Sequence, residues 1–440
     1  MKKISSSIVL AILIISFAII FISFDEPKEA IDFNNAVDLA MKNNTDLIKA
    51  KNEYELAKLS YNQALANLYY PSISFSSSIN TTTGSSSSSS YSAGIGLSKP
   101  IYNGLSLLKA KDMALANLQY KKSLYEIEKQ VTIYSTYSKY YTYIYDLICV
   151  YLLTEMSRIN KIKLDEYTEQ YRLGMITELS LLSMQLSASK VDLSLKEAKG
   201  KAQQDYLQLK NYLNLKEDFV LVYDKEAVKK DDFSKIFYDN QDSDLLEKFD
   251  TNYLEDAKTF SESVNSYYFS YKQAELNLKY HIASLFPSLA AELGISFGGN
   301  LDQSSSSQNL KFSLSLSFDL DSILPFSSTS FEKKIMEKEY ENAKLAFIQA
   351  VEDLKINLAS LKDSLQLSMD SLEDSRKSYD YAKKGYNLAE SAFNEGQLAT
   401  SDFITWQQDY IDAKISYIDA MLDYQILQRQ ILAAIGKLVY

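Results

Sequence analysis

The sequence predicts a mainly α-helical chain with a small transmembrane β part, built from two structural repeats. Three observations predict it. First, no proline or glycine interrupts the run from Gly104 to Gly174, and a second long run leaves Pro325, reaches Gly385 and continues to Gly396. Second, from Leu310 to Leu320 every even position is Leu or Phe, while Lys311, Ser313, Ser315, Ser317 and Asp319 are polar. A period of two is a strand with one apolar and one polar face, and about ten tilted residues is the length that crosses a bilayer as β-structure. Third, Pro71 and Pro287 stand 216 residues apart and Gly174 and Gly396 stand 222 apart, the mark of a duplication.

The chain begins with Lys2 and Lys3, an apolar run from Ile8 to Phe24, and the polar stretch Asp25-Glu26-Pro27-Lys28-Glu29. That is the layout of a secretory signal, expected over residues 1–24 and expected to be cleaved. Beyond it no run approaches the ~18 apolar residues of a spanning helix, so any membrane part must be made of strands. A single cysteine (Cys149) and a single histidine (His281) exclude a disulfide framework and most metal or histidine-based catalysis. Cys149, among Leu147, Ile148 and Val150, reads as a small buried residue, and His281 as structural or exposed. The net charge of −11 argues against a nucleic-acid partner. No nucleophile–base pair stands out, so neither an enzyme nor a cofactor is expected.

In order, helix-forming residues from Asn34 to Tyr70 break at Asn43-Asn44 and stop at Pro71, because a residue before proline leaves the α region. A hairpin follows over 71–101: Ser72 to Ile79 alternates, Asn80 to Ser90 reads as a solvated loop, and alternation resumes at Tyr91, Ala93, Ile95 and Leu97. The long helix at 104–173 carries apolar residues at heptad spacing, which means coiled-coil packing. Seventy helical residues at ~1.5 Å each span about 105 Å. Its belt of Tyr134, Tyr137, Tyr140, Tyr141, Tyr143, Tyr145 and Tyr151 reads as helix packing rather than a binding site. Gly174 marks a sharp turn into a helix from Thr177 to Leu215, closing a first repeat over 25–215. Residues 216–250 are charged, with Asp231-Asp232 and Asp239 to Asp244, and read as a connector with short elements.

The second repeat, 251–440, follows the same plan. A helix from Tyr253 to Phe286 leads to a hairpin over 287–320, with Leu289, Ala291, Leu293, Ile295 and Phe297 on one face and a loop from Gly298 to Asn309. A long helix at 327–395 has a clean heptad through Tyr379, Tyr386 and Phe393, and a last helix starts near Asp402.

Four strands per chain cannot close a barrel, and an open edge in a membrane is forbidden. Three copies would give a twelve-stranded barrel, with Ser72, Ser74, Ser76, Ser313, Ser315 and Ser317 lining its lumen and the Leu/Phe face against lipid.

These residues together resemble the TolC family of outer-membrane efflux and secretion channels. The resemblance runs from about Ile31 to Gly436. It rests on Phe33-Asn34-Asn35-Ala36-Val37-Asp38-Leu39-Ala40-Met41-Lys42-Asn43-Asn44-Thr45-Asp46-Leu47, with Thr45 where the family usually has proline. It rests also on Tyr70-Pro71-Ser72-Ile73, Phe286-Pro287-Ser288-Leu289, Pro100-Ile101-Tyr102-Asn103-Gly104, Tyr171-Arg172-Leu173-Gly174 and Phe393-Asn394-Glu395-Gly396. The resemblance implies a homotrimer: a twelve-stranded β-barrel in the outer membrane, continuous with a long α-helical coiled-coil barrel in the periplasm. Its partners would be a periplasmic adaptor and an inner-membrane pump. The glycine turns would be the docking tip, which points to Leu173, Gly174, Met175, Glu395, Gly396 and Gln397, although each glycine also serves simply as a tight turn. The family narrows this tip with two aspartates, matched here by Asp402 and Thr405. Three copies of Asp402 would form a cation-attracting ring, and equally an acid in a first helical turn is favoured by the macrodipole. Ser180, Phe393 and Leu398 replace the polar links of the family's closed tip.

The expected function is a passive outer-membrane exit duct for small molecules or polypeptide, in an efflux or type I secretion system. The alternative is a structural envelope coiled coil or adhesin anchored by its β-tip.

Overall fold

The computed structural model describes residues 29–82, 88–103, 105–237, 252–281, 286–300, 306–318 and 326–438. The signal at 1–24, the acidic stretch Asp239 to Asp244, Gly104, Asp319, Leu320 and Pro325 lie outside these residues.

The chain opens with β1 (Glu29–Ile31), α1 (Phe33–Asn43) and α2 (Thr45–Tyr69). The expected break falls at Asn44, whose side chain accepts the backbone N–H groups of Asp46 (2.9 Å) and Leu47 (3.0 Å) as an N-cap. Strands β2 (Ser72–Thr82) and β3 (Ser88–Asn103) precede the long α3 (Ser106–Arg172) and α4 (Glu178–Tyr212). The connector holds β4 (Phe219–Leu221), α5 (Lys225–Lys229) and α6 (Ser234–Phe237). The second repeat contains α7 (Asn252–Phe260), α8 (Glu262–His281), β5 (Ser288–Asn300), β6 (Ser306–Ser317), α9 (Ser328–Asn394) and α10 (Thr400–Ala434).

The duplication is tighter than the sequence markers implied. Helices α3 and α9 are both 67 residues long and α4 and α10 both 35, with every boundary shifted by 222 from its counterpart, as in Ser106 to Ser328 and Tyr212 to Ala434. The smaller offset of 216 holds up to the strands, as in Ser72 to Ser288, so the six extra residues of the second repeat lie within its hairpin segment.

Three expectations need correction. The helix expected from Tyr253 to Phe286 is two helices broken at Ser261, and its described part ends at His281. The Asn265 side chain holds the break open, donating to the carbonyls of Thr259 (2.9 Å) and Ser261 (2.8 Å). The loop expected over Asn80 to Ser90 is shorter, because Asn80, Thr81 and Thr82 pair with Ser90, Ser89 and Ser88. Likewise Gly298 and Gly299 pair with Ser307 and Ser306 inside the stretch expected to be a loop. Strand pairing is made by the backbone, so polar side chains do not end a ladder that hydroxyl pairs such as Ser78–Ser92 (2.9 Å) also support.

The described residues fall into two compact units, and α1, α3, α9 and α10 contribute to both. The first gathers residues within Met1–Ala40, Thr136–Tyr238 and Tyr379–Leu422. In it β1 pairs in parallel with β4, and the buried Tyr140 donates its hydroxyl to the Val222 carbonyl at 3.0 Å. Phe33 packs edge-on against Tyr137 and Tyr140, so the tyrosine belt is helix packing here. Cys149 is buried as expected. The second unit gathers residues within Met41–Ser135, Asp239–Ser378 and Asp423–Tyr440. It contains a four-stranded antiparallel sheet in the order β2-β3-β5-β6, so the two hairpins join through β3 and β5. His281 is buried there, with its Nε2 3.1 Å from the Thr329 carbonyl. No helix among the described residues is long and apolar enough to cross a membrane.

Candidate functional site

The register of the sheet sorts its residues into two chemically distinct faces. Ser72, Ser74 and Ser76 lie opposite Ser98, Gly96 and Gly94, which in turn face Glu292, Gly294 and Ser296. The same rows end on Ser313, Lys311 and Asn309 of β6, with Ser315 and Ser317 continuing that face. All six serines expected to line a lumen therefore share one face. The other face carries Ile73, Phe75, Leu97, Ile95, Leu293, Ile295, Phe312 and Leu310, most of them exposed.

The polar face is also the crowded one. A Cβ placed on Gly94 would come 3.3 Å from the Ser296 Cβ, and one on Gly298 would come 3.5 Å from the Ser92 Cβ. Cross-strand Cβ atoms ordinarily stand ~4.5–5.5 Å apart, so the strands are squeezed together on this side. Small residues on a squeezed face are what a sheet curled around a polar interior requires. The hydroxyls there are hydrogen-bonded: Ser72 to the Ser98 carbonyl (3.1 Å), Ser313 to Glu292 (3.2 Å), and Ser288 with Ser317 (2.6 Å).

The two glycine turns have one geometry. Gly174 and Gly396 each sit at φ +72°. In the first turn Gly174 N–H donates to Tyr171 O (2.9 Å) and Met175 N–H to Gln170 O (2.8 Å). In the second, Gly396 donates to Phe393 O (3.0 Å) and Gln397 to Ala392 O (2.8 Å). These are Schellman caps, which need a left-handed residue after the helix. Their side chains differ: Leu173 and Met175 are exposed apolar groups, whereas Gln397 donates to Glu395 at 3.0 Å.

The sequence pattern of the outer membrane efflux protein family matches residues 36–215 and 255–437. The chain belongs to that family. No curated protein matches the chain in sequence. In fold it is similar to the open-state outer membrane channel MtrE of Neisseria gonorrhoeae, at 15% identity and a TM-score of 0.73 over 92% of this chain and 88% of that one. It is similar also to the CmeC outer membrane channel of Campylobacter jejuni, at 17% identity and a TM-score of 0.67 over 92% and 85%. The outer membrane protein VceC of Vibrio cholerae matches at 10% identity and a TM-score of 0.69, over 92% and 96%. The resemblance drawn from the motifs therefore holds, and this outer membrane efflux protein is a channel-family protein of the outer membrane.

Asp402 and Thr405 are both exposed in the first turns of α10. Ser401 donates its hydroxyl to Asp402 (3.2 Å), and Thr405 donates back to the Ser401 carbonyl (3.0 Å). They begin a longer row that the sequence reading did not pick out. Asp409, Asp412, Ser416 and Asp419 continue it at three- and four-residue spacing, all exposed. The signal was present as an acid at heptad spacing on the last helix.

Phe393, read as a lost polar link, sits in a ladder of rings in the first unit. Tyr167 stacks on Phe393, Phe393 on Phe403 (centroids 4.6 Å), and Tyr386 stacks on Tyr410 (5.2 Å). The heptad row Tyr379, Tyr386, Phe393 thus meets Tyr417, Tyr410 and Phe403, a second heptad row on α10. Lys163 places its Nζ 3.7 Å from the Phe403 centroid, a cation–π contact, and its half-burial lowers its pKa. Tyr167 also hydrogen-bonds Thr400 at 2.9 Å. Ser180 is taken up by the Thr177 cap, and Leu398 is half-buried.

Proposed function

We propose that this outer membrane efflux protein works as a homotrimeric exit duct whose three copies pool their sheets into one twelve-stranded barrel. The observation that carries this reading is the sheet itself, with one small polar face, one exposed apolar face and open edges at β2 and β6. An apolar sheet face that size suits lipid, and open edges in lipid must be paired by another chain. The serine face then lines a wet lumen and the Leu/Phe face meets the bilayer.

The helices of the three copies would form the rest of the duct, with its entrance at the glycine turns. A periplasmic adaptor would dock on Leu173, Gly174, Met175, Glu395, Gly396 and Gln397 and link the duct to an inner-membrane pump. The duct itself is passive, and the exposed Asp402 would draw cations to its entrance, with Thr405 one turn further along. The aromatic ladder and the Tyr167–Thr400 bond support a closed entrance without charged links. An anchored adhesin has no use for a small polar face of this kind.

Planar bilayers test the reading: purified full-length protein is expected to give discrete, cation-selective conductance steps. A detergent-solubilised monomer without conductance overturns it.

A further inference from the structure

We propose that Lys311 and Glu292 set the charge preference of the barrel lumen. They are opposed charges that keep an otherwise uncharged wall in balance, so that losing either one makes it select ions of one sign. The inference rests on the trimeric-barrel reading above and goes beyond it by naming the residues that decide what the wall favours.

Only three charged residues stand in the four strands: Lys99 on β3, Glu292 on β5 and Lys311 on β6. The register separates them. Lys99 pairs with Ala291 on the apolar face, and its ammonium donates to the carbonyls of Leu68 (2.7 Å) and Tyr70 (3.2 Å) at the end of α2. Lys99 is thereby a helix cap and not part of a lumen. Glu292 and Lys311 both fall on the polar face, in the neighbouring rows Ser72–Ser98–Glu292–Ser313 and Ser74–Gly96–Gly294–Lys311. Every other residue in these rows, and in the next two rows out to Ser78–Ser92–Gly298–Ser307, is serine, glycine or asparagine.

Both charged side chains are exposed. One strand across and one row along sets Cβ atoms ~7–8 Å apart, within reach of long side chains. Yet the two make no ion pair: Glu292 accepts from the Ser313 hydroxyl at 3.2 Å, and Lys311 meets no carboxylate among the described residues. Gly294 and Gly96 continue the Lys311 row, so no side chain of that row's next two strands covers the ammonium. Each charge therefore stays in water and acts on what passes. Three copies would place three lysines and three glutamates around one lumen. A single unit charge ~8 Å from an ion in water changes that ion's population roughly twofold. Lysine on an edge strand also keeps other chains from pairing with it, a role that leaves ion selectivity untouched.

Reversal potentials of the full-length trimer in planar bilayers, under a dilute potassium chloride gradient, separate the two roles. Lys311→Gln is expected to raise the cation-to-anion permeability ratio at least about twofold, and Glu292→Gln to lower it about as much. The double substitution restores the balance and is expected to return the ratio close to that of the unaltered protein. Ratios that move with neither single substitution overturn the proposal, and Lys311 is then an edge charge only. A second measurement needs no change of charge by mutation alone. Cys149 is the one cysteine and is buried, so Lys311→Cys and Phe312→Cys each add a single exposed thiol, on opposite faces. The anionic, water-soluble reagent sulfonatoethyl methanethiosulfonate is expected to raise the cation preference of Lys311→Cys and to leave Phe312→Cys as it was. No change in Lys311→Cys, or a change only in Phe312→Cys, removes Lys311 from the lumen. Unaltered protein without conductance overturns the duct reading and this inference with it, whereas conductance with unmoved ratios overturns this inference alone.

Discussion

Helices α4 and α10 are the same element twice, and their surfaces are opposites. Both have 35 residues, both follow a Schellman turn at φ +72°, and both sit 222 residues from their counterpart at each end. Yet α4 exposes Leu179, Leu182, Leu186, Leu193 and Leu207, which fall on one heptad stripe, while α10 exposes Asp402, Asp409, Asp412 and Asp419. At the positions equivalent to Leu182, Leu186 and Leu193, α10 carries Ile404, Gln408 and Ile415, none of them fully exposed. The difference teaches that duplication constrained the backbone and left the outward faces free to diverge. A leucine stripe at coiled-coil spacing calls for another helix over it, and an acidic row calls for water. In the proposed trimer, the first would suit contact with a neighbouring copy and the second would suit the lumen.

The sharpest way to break this comparison is the double substitution Leu182→Glu with Leu186→Glu. Burying a leucine contributes about 1.5–3 kcal/mol, and burying an unpaired charge costs more. The expected result is monomer by light scattering in detergent. A persisting trimer would mean that the α4 stripe faces solvent or lipid and not a second copy. Next in size is Phe403→Ala, which removes a ring only 2% exposed from the middle of the aromatic ladder. A loss of about 3–5 kcal/mol in denaturant unfolding is expected, with larger conductance steps as the entrance loosens. Unchanged conductance would separate the ladder from any role at the entrance.

A second difference between the repeats is a buried acid. Asp146 on α3 is 2% exposed and lies 3.2 Å from Lys201 of α4, whereas the equivalent position in α9 is Ser368. Burial, reinforced by a hydrogen bond with Asp205 and opposed by Lys201, pushes its carboxyl up to about 7. The unfolded value is ~3.9, so between these values the folded chain holds the proton more tightly. Asp146 therefore stabilises the fold most below about pH 4, and that contribution drains away as pH rises towards 7. Asp146→Asn should flatten the dependence by roughly 1–3 kcal/mol across this window, read as denaturant midpoints at pH 5 and pH 8. Parallel midpoints for both proteins would place the titration elsewhere.

Much of this architecture was legible because its punctuation is local. Pro71 and Pro287 stop helices by sterics, Gly174 and Gly396 supply the left-handed residue, and the alternation around Ser72 and Leu310 needs no partner to be read. What was missed is non-local or depends on accessibility. The junction of β3 with β5 pairs residues some two hundred positions apart, and Phe403, Tyr410 and Tyr417 become a ladder only once α10 lies against α9. The leucine stripe of α4 was not singled out, because heptad spacing alone does not tell an exposed face from a buried one. The extra strand pairs at Thr82–Ser88 were hidden by serines that carry no pattern. Of the candidate site residues, the six serines share one face: a period of two sets each trio on one side of its own strand, and the register of the three ladders brings the two trios to the same side.

The smallest expected effect decides between the two readings of Asp402. As a first-turn acid, it stabilises α10 through the macrodipole by about 0.3–1 kcal/mol, and Asp402→Asn would cost no more than that in stability. As part of a three-fold ring, each carboxylate changes the energy of a passing cation by about 1 kcal/mol at 4 Å in water, roughly fivefold in permeability. The two effects are similar in size but appear in different measurements. Asp402→Asn is expected to lower the cation-to-anion permeability ratio in reversal-potential recordings, with a smaller drop for Asp409→Asn seven residues further from the turn. Added salt should shrink both, since the Debye length falls to about 3 Å at 1 M. If selectivity stays put and only stability shifts, Asp402 belongs to its helix alone, and the acidic row on α10 is a solvated face with no part in the entrance.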